Sequence, residues 1–192
     1  SIRNALKDLQ SRGVLAARER SGYYLLSMFS LQQALTADSQ CWNPERVHRL
    51  LEARNFLEPH VVALGARHLQ QEDLGKIEQC LTEMGKAAVG DKANQLAVCH
   101  VKFNNLCQRN CPNQEFLRML NEVRYPIVLL VRVLGHISEI EKNLFFADHV
   151  NLLQALKHID IEKIQEIVAQ LNQRIAGFFE HYPHSLAVEE SG

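Results

Sequence analysis

The sequence contains no apolar run near the roughly 20 residues that a helix needs to span a bilayer. Its most apolar stretch, residues 127–134, is interrupted by Arg132. We expect no signal peptide, and internal repeats and low-complexity segments are lacking. We therefore expect no membrane partner and no repeat architecture. The 192 residues, 46% of them hydrophobic, are enough for one packed domain of moderate size plus a small fragment.

The cysteines are irregularly spaced. The five cysteines are odd in number and scattered, which argues against a disulfide framework and favours a reducing, cytoplasmic setting. Cys107 and Cys111 have a spacing that allows a metal or redox interpretation. Because no second pair with zinc-site spacing accompanies them, we interpret them as ordinary semi-buried thiols.

Strand-like alternation is absent from residue 44 onward, where the apolar periodicity is helical throughout. Asn43-Pro44 gives an N-cap followed by proline at the first helical position. Pro126 is expected to kink or divide a helix. Breaks between helices are predicted near residues 70–71, 90–91, 110–113, 139–142 and 158–160. The sequence thus predicts an all-α fold, an antiparallel bundle of about six to seven helices.

A different pattern occupies the N-terminal 27 residues. Residues 1–9 predict a helix that Gly13 ends, and residues 14–25 predict two short strands around a turn at Ser21-Gly22. A helix followed by a basic hairpin is the layout of a partial winged helix-turn-helix. The predicted organisation is therefore a DNA-binding fragment (1–27), a connector with a short helix (28–43), a helical effector-binding and dimerisation domain (44–183) and a flexible tail (184–192).

Positive charge is concentrated in this N-terminal segment. Residues 1–25 carry five basic and two acidic side chains, although the whole chain has a formal net charge of −1. Lysine and arginine supply the salt-dependent part of DNA affinity, so Arg3, Arg18 and Arg20 are the candidate DNA contacts. The alternative is an ordinary amphipathic helix and hairpin.

Several polar side chains fall on apolar helical faces. Arg54 lies between Leu50 and Leu57 in the helix that begins at Pro44. A buried arginine is costly unless it is paired. It serves either as a structural salt bridge to an internal carboxylate or as a clamp for a small acidic ligand. The sequence leaves both interpretations open.

His100 and His149 lie on the apolar stripes of two separate helices. A lone histidine in such a place is usually a satisfied core residue, but facing helices can bring two together around a ligand or metal. Arg132 and His136 form a further polar intrusion four residues apart. Together these groups predict an electropositive cavity suited to an organic acid, with ordinary core packing as the alternative.

Four segments resemble one family of bacterial regulators. The pattern S-x-R-x-A-L-x-x-L-x-x-x-G with its hairpin resembles the GntR family of transcription regulators, and on that resemblance the chain begins inside the recognition helix. The other segments resemble the FadR-type C-terminal ligand domain. They are E-A-R-N-F-L-E (52–58), C-H with N-Q-E-F-L downstream (99–100, 113–117), and D-H-V-N-L-L-Q-A-L (148–156) followed by Asp160. The likeness covers almost the whole chain and favours the FadR subfamily.

The resemblance also implies a metal site that this sequence only half contains. Many such domains hold a divalent ion with an Asp-x-x-x-His pair and two further histidines. His100 and His149 match, whereas Leu96 and Leu171 occupy the other two positions. Two neutral imidazoles lack the carboxylate and the ligand number that such sites need, so no metal or other cofactor is expected. Asn94, Gln95 and Asn172 are the side chains that a different register would offer as substitutes.

The resemblance implies a non-enzymatic, homodimeric transcriptional regulator. Its helical domain would bind a small organic acid or acyl thioester and thereby control binding to operator DNA. Arg54, His100, Arg132 and His149 are the expected effector contacts. The alternative is a metal-binding or enzymatic bundle built on His100 and His149, although no nucleophile–base pair accompanies them. A third interpretation is a dimerising scaffold without a ligand.

Overall fold

The computed structural model describes Leu6, residues 15–18 and 22–25, and residues 44–182. Leu6 is helical. Two antiparallel strands, β1 (Leu15–Arg18) and β2 (Gly22–Leu25), pair in the register Leu15 to Leu25 through Arg18 to Gly22. Gly22, which the sequence analysis placed in the turn, is therefore the first residue of β2. The rest of the predicted recognition helix, the connector and the tail lie outside the described residues.

Seven helices form the remainder of the described chain. They are α1 (Pro44–Ala66), α2 (Gln71–Val89), α3 (Ala93–Gln108), α4 (Gln114–Glu122), α5 (Ile127–Leu134), α6 (Glu139–His158) and α7 (Ile161–His181). The predicted helical bundle is confirmed. None of these seven helices is both long and apolar enough to cross a membrane.

Local sequence explains most helix boundaries. Asn113 caps α4 by accepting hydrogen bonds from the backbone N–H groups of Glu115 and Phe116, and Asp160 caps α7 in the same way. The break predicted at residues 139–142 was wrong, because Ser138 and Glu141 form a capping box that begins α6 at Glu139. Pro126 divides two helices, since it precedes the first residue of α5.

The apolar core lies where α3 meets its neighbours. α1 packs along α7, α2 packs on α3 and α6, α6 packs on α7, and α5 packs on α3. The core includes fully buried Phe103 on α3, Phe145 on α6 and Ile175 on α7. A smaller apolar cluster, made of Val61, Cys111 and Leu120, joins α1 to α4. Helix α3 thus carries its inward-facing side chains into the middle of the bundle.

Gly65 sets how closely α1 approaches the end of α3. A Cβ atom at this position would lie 2.9 Å from the Cys107 carbonyl oxygen and 3.3 Å from the Cys111 backbone nitrogen. Both neighbours are backbone atoms that cannot turn aside, so only glycine permits this approach. The close contact holds the buried face of α1 against the polar side chains of α3.

Candidate functional site

Six buried polar side chains on three helices form what we call the polar core. Each is at most 7% exposed. Its members are Arg54 and Glu58 on α1, His100, Asn104 and Gln108 on α3, and His149 on α6. On α1 and α3 the polar positions are four residues apart and therefore share one face. The structure thus brings together three of the four predicted effector contacts.

The two histidines form a hydrogen-bonded chain with a defined proton arrangement. His149 Nδ1 lies 2.7 Å from the Phe145 carbonyl oxygen, so this nitrogen carries a hydrogen. His149 Nε2 is therefore an acceptor, and His100 Nδ1, 3.0 Å away, donates to it. His100 Nε2 in turn accepts from the Asn104 amide nitrogen at 3.1 Å. Each ring thus makes one donor and one acceptor contact, which is the full capacity of a neutral imidazole.

Burial keeps both rings neutral. It lowers the pKa of His149 to about 4, against the smaller opposing effects of the Phe145 carbonyl and Asp148. It also lowers the pKa of His100 well below its usual value, and electrostatic interactions with His149 and Arg54 act in the same direction. At neutral pH the histidine pair therefore contributes no positive charge to the polar core.

Arg54 is paired with an internal carboxylate. This is the arrangement expected if Arg54 forms a structural salt bridge. Its guanidinium donates to Glu58 Oε1, and the Gln108 side-chain nitrogen donates to the same oxygen at 2.5 Å. Two polar atoms of this group, Arg54 Nε and Glu58 Oε2, are nevertheless buried without a hydrogen-bond partner. Native proteins leave few such atoms unpaired, because each costs about 1–3 kcal/mol.

The polar core is close to neutral overall, which differs from the electropositive cavity expected from the sequence. The charge of Glu58 offsets that of Arg54, and the histidines are uncharged. The segment between α4 and α5 adjoins this charge pair. Burial raises the pKa of Tyr125 to about 12, with Arg54 opposing that shift and Glu58 adding to it. Burial also lowers the pKa of Arg124 to about 10, and Arg54 contributes to the decrease.

The residues present do not fit a divalent metal ion. Leu96 and Leu171 are buried at 1% and 2% exposure and supply no donor atom. The acceptor nitrogen of each histidine is already occupied by a hydrogen bond. Within the described parts of the chain, no cluster of three or more His, Cys, Asp or Glu side chains could hold an ion. The pair therefore joins α3 to α6 by hydrogen bonding alone.

The three side chains considered from the sequence as substitute metal ligands lie in different environments. Asn94 and Gln95 are exposed at the start of α3, whereas His100 is buried. Asn172 on α7 is buried, and its side-chain nitrogen has no hydrogen-bond partner. That nitrogen is a hydrogen-bond donor, and only the amide oxygen of Asn172 could ligate a cation.

The other predicted site residues have different environments. Arg132 on α5 is half-buried and does not belong to the polar core, and His136 is exposed and stacks on Tyr182 with ring centroids 6.3 Å apart. Arg18 is the last residue of β1, where it pairs with Gly22, the first residue of β2. Arg3 and Arg20 lie outside the described residues.

Sequence analysis missed Glu58, Asn104 and Gln108 as members of the polar core. The available signal was their spacing, since Glu58 is four residues after Arg54, and Asn104 and Gln108 follow His100 at intervals of four. Their residue types gave no such signal, because Glu, Asn and Gln are most often solvent-exposed.

A cavity of about 340 Å³ lies on a different side of the domain, against α1, α4 and α7. Its walls are mainly apolar, with Leu64, Phe116 and Ile161 among them, and Arg67 at its edge. None of its lining residues belongs to the polar core. The cavity is therefore separate from the buried charge pair and the histidines.

Comparison with known proteins identifies relatives of this chain. Residues 49–174 match the FCD domain family. The chain is 24% identical over 165 residues to the Uxu operon transcriptional regulator of Escherichia coli K12, a match that covers 81% of this chain and 62% of that protein. It is 30% identical over 135 residues to the HTH-type transcriptional regulator LutR of Bacillus subtilis, covering 65% and 61% respectively. The chain thus spans about three fifths of the length of these relatives.

Solved structures show the same fold. A GntR protein of Streptococcus agalactiae aligns with a TM-score of 0.59 at 19% identity, covering 92% of this chain and 80% of that one. McbR/YncC of E. coli aligns with a TM-score of 0.62 at 20% identity, covering 94% and 80%. The two curated relatives are named as transcriptional regulators. Since the family match extends over more than half of its residues, the chain belongs to the FCD-domain family.

Proposed function

We propose that this chain is part of a DNA-binding transcriptional regulator whose helical domain binds a small organic acid and thereby controls operator binding. The family and the names of the two curated relatives support the general role. The basic N-terminal segment supports the DNA-binding part, with Arg3, Arg18 and Arg20 as the phosphate or base contacts.

The proposed mechanism is linkage between two sites. The protein acts as a homodimer, which presents two winged helices to the paired half-sites of an operator. Effector binding in the helical domain changes the relative placement of these two units. The same coupling free energy that lets the effector alter DNA affinity makes DNA alter effector affinity.

The observation that carries the effector proposal is the pair of unmatched atoms at the charge pair. Arg54 Nε is a hydrogen-bond donor and Glu58 Oε2 is an acceptor, and both are buried without partners. A carboxylate would accept from Arg54, and a hydroxyl on the same molecule would donate to Glu58. A hydroxy acid or sugar acid supplies both groups, so we favour it over an acyl thioester.

The four effector contacts expected from the sequence remain our proposal. Three of them belong to the polar core, and Arg132 lies outside it. Arg54 is the anion partner, and His100 and His149 exchange their mutual hydrogen bond for bonds to the ligand. Arg132 serves as a second anion partner from the half-buried side of α5. Glu58 joins them as the hydroxyl acceptor, a role that only the folded arrangement suggested.

One observation favours a second candidate, a dimerising scaffold without a ligand. The hydrogen-bonding groups of both histidine rings are satisfied by neighbouring protein atoms. Such a closed arrangement is also what a purely structural polar network requires. The two candidates differ in whether the domain gains stability from any small acid.

The test is a thermal-shift screen against hydroxy acids, sugar acids, acyl thioesters and divalent metals, each with and without a chelator. A ligand at one hundred times its dissociation constant adds about 2.7 kcal/mol of stability. We expect a hydroxy or sugar acid to raise the melting temperature regardless of chelator. The shift should disappear in Arg54→Lys, which keeps the charge but loses the guanidinium geometry, and persist in Arg67→Lys at the edge of the separate cavity.

Each other outcome has a defined meaning. A screen without any stabilising acid would support the scaffold. A shift produced only by metals and removed by chelator would contradict the metal-free site. A shift lost in Arg67→Lys but kept in Arg54→Lys would move the effector to the cavity between α1, α4 and α7.

A further inference from the structure

Two thiols from different helices meet at the interface between α2 and α3. Cys80 on α2 is completely buried, and Cys99 on α3 is 3% exposed. The Cys80 sulfur lies 3.3 Å from the carbonyl oxygen of Cys99. The two residues are far apart in sequence, so helix packing alone brings them together. We propose that Cys80 and Cys99 are a thiol-oxidation site, at which hydroperoxides introduce a reversible disulfide between α2 and α3.

The contact with Cys80 favours ionisation of Cys99. The S–H of Cys80 beside it lowers the pKa of the Cys99 thiol, burial and the negative charge of Glu83 oppose this effect, and the positive charge of Lys102 adds to it. The pKa of Cys80 is raised, first by its contact with Cys99 and then by burial. Cys99 is therefore the nucleophile and Cys80 the resolving thiol, because the thiolate is the reactive form.

A partly exposed ion pair acts electrostatically on the two thiols. Lys102 Nζ and Glu83 Oε2 form this ion pair at 3.1 Å, which links α3 to α2, with side chains 49% and 41% exposed. The charges of both residues act on both thiols. The thiols themselves are buried, so the oxidant we propose is a small molecule such as hydrogen peroxide.

The reaction balances with one equivalent of peroxide. The Cys99 thiolate attacks a peroxide oxygen, the S–O bond forms, the O–O bond breaks, and the released hydroxide takes a proton to become water. The Cys80 sulfur then attacks the Cys99 sulfenic sulfur, the S–S bond forms, and the S–O bond breaks. The departing hydroxide leaves as water with the Cys80 proton. Two thiols lose two electrons, and the peroxide is reduced to two water molecules.

The other described thiols lack these features. Burial raises the pKa of Cys107, and the negative charge of Glu58 raises it further. Cys107 packs in the main core, whereas Cys111 belongs to the small cluster between α1 and α4. The spacing that drew attention to Cys107 and Cys111 in the sequence therefore does not make them a pair, and the inferred site is independent of any effector or DNA.

The test treats the reduced native protein with hydrogen peroxide, removes the excess with catalase and counts free thiols after denaturation. We expect the count to fall from the five cysteines of the sequence to three, and dithiothreitol to restore it. Peptide mapping without reductant should show one cross-link, between Cys80 and Cys99. Cys107→Ala should retain this cross-link, and Cys80→Ala should lose it.

A second variant tests the chemistry without removing a thiol. Lys102→Gln should slow thiol loss several-fold, because the thiolate loses its positive neighbour. Lys163→Gln, which breaks a comparably exposed ion pair on α7, should leave the rate unchanged. A cross-link between other cysteines, peroxide-treated protein that keeps all its thiols, or Cys99 oxidised to sulfinic acid without a cross-link would overturn the proposal.

Discussion

The buried pair of Arg54 and Glu58 makes a quantitative prediction about stability. The two side chains are 5% and 2% exposed, and each is the charged partner of the other. Glu58→Leu leaves a buried guanidinium without its counter-charge and also removes the acceptor of Gln108. Breaking a buried pair by removing one partner costs about 3–5 kcal/mol. We therefore expect Glu58→Leu and Arg54→Met each to lower the free energy of unfolding by about that amount.

The double variant separates this effect from packing. Arg54→Met with Glu58→Leu replaces both charges by apolar groups of similar length, which is often close to neutral. We expect its stability within about 1 kcal/mol of the original protein, so the two substitutions should be strongly non-additive. The exposed pair of Glu45 and Arg49 on the same helix has the same spacing and serves as a control. Its coupling energy should stay below about 0.5 kcal/mol.

The assay is urea unfolding followed by far-ultraviolet circular dichroism, with all variants at one protein concentration. Midpoints are comparable only when the slope of free energy against urea is unchanged, so each slope is checked first. Additive losses at Arg54 and Glu58 would refute the reasoning, since they would mean that the charges act independently. A double variant as unstable as either single variant would also refute it.

Three further predictions follow from particular contacts. Burial lowers the pKa of His149 to about 4, against about 6.5 in the unfolded chain. The free energy of unfolding should therefore be highest above pH 6.5, where the ring is neutral in both states, and should decline as the pH falls toward 4. Urea unfolding across this range should show the decline, and His149→Phe should make it shallower, with His100 contributing the remainder. Gly65→Ala should cost about 1–3 kcal/mol, since its Cβ would meet the Cys107 backbone, whereas Gly75→Ala, with nothing within 4 Å, should be neutral or stabilising. Ile159 follows the last residue of α6 in the left-handed conformation, with φ of 52°, which is unfavourable for a β-branched residue. Ile159→Gly should therefore raise the melting temperature by a few degrees. A lower melting temperature would show that the backbone at this position is not strained.

Local sequence signals predicted the elements of the bundle because the forces that form them act over a few residues. Proline at position 44 marked the start of α1, and the apolar stripes placed Arg54, His100 and His149 inside. Leu96 and Leu171 predicted a site without metal ligands, and both side chains are buried in the core. The boundary before α6 was misplaced because a run of charges concealed a capping box.

Tertiary structure alone decided which side chains meet. Glu58 lies on the same helix as Arg54, but only the packing of α3 against α1 adds Gln108 and makes both charges buried partners. The histidine pair and the Cys80–Cys99 pair each unite residues from two helices, and no periodicity within one helix specifies the rotation of another. The sequence by itself therefore determined the helices, their buried faces and the family. Packing determined the charge balance of the polar core, because that balance depends on contacts between residues distant along the chain.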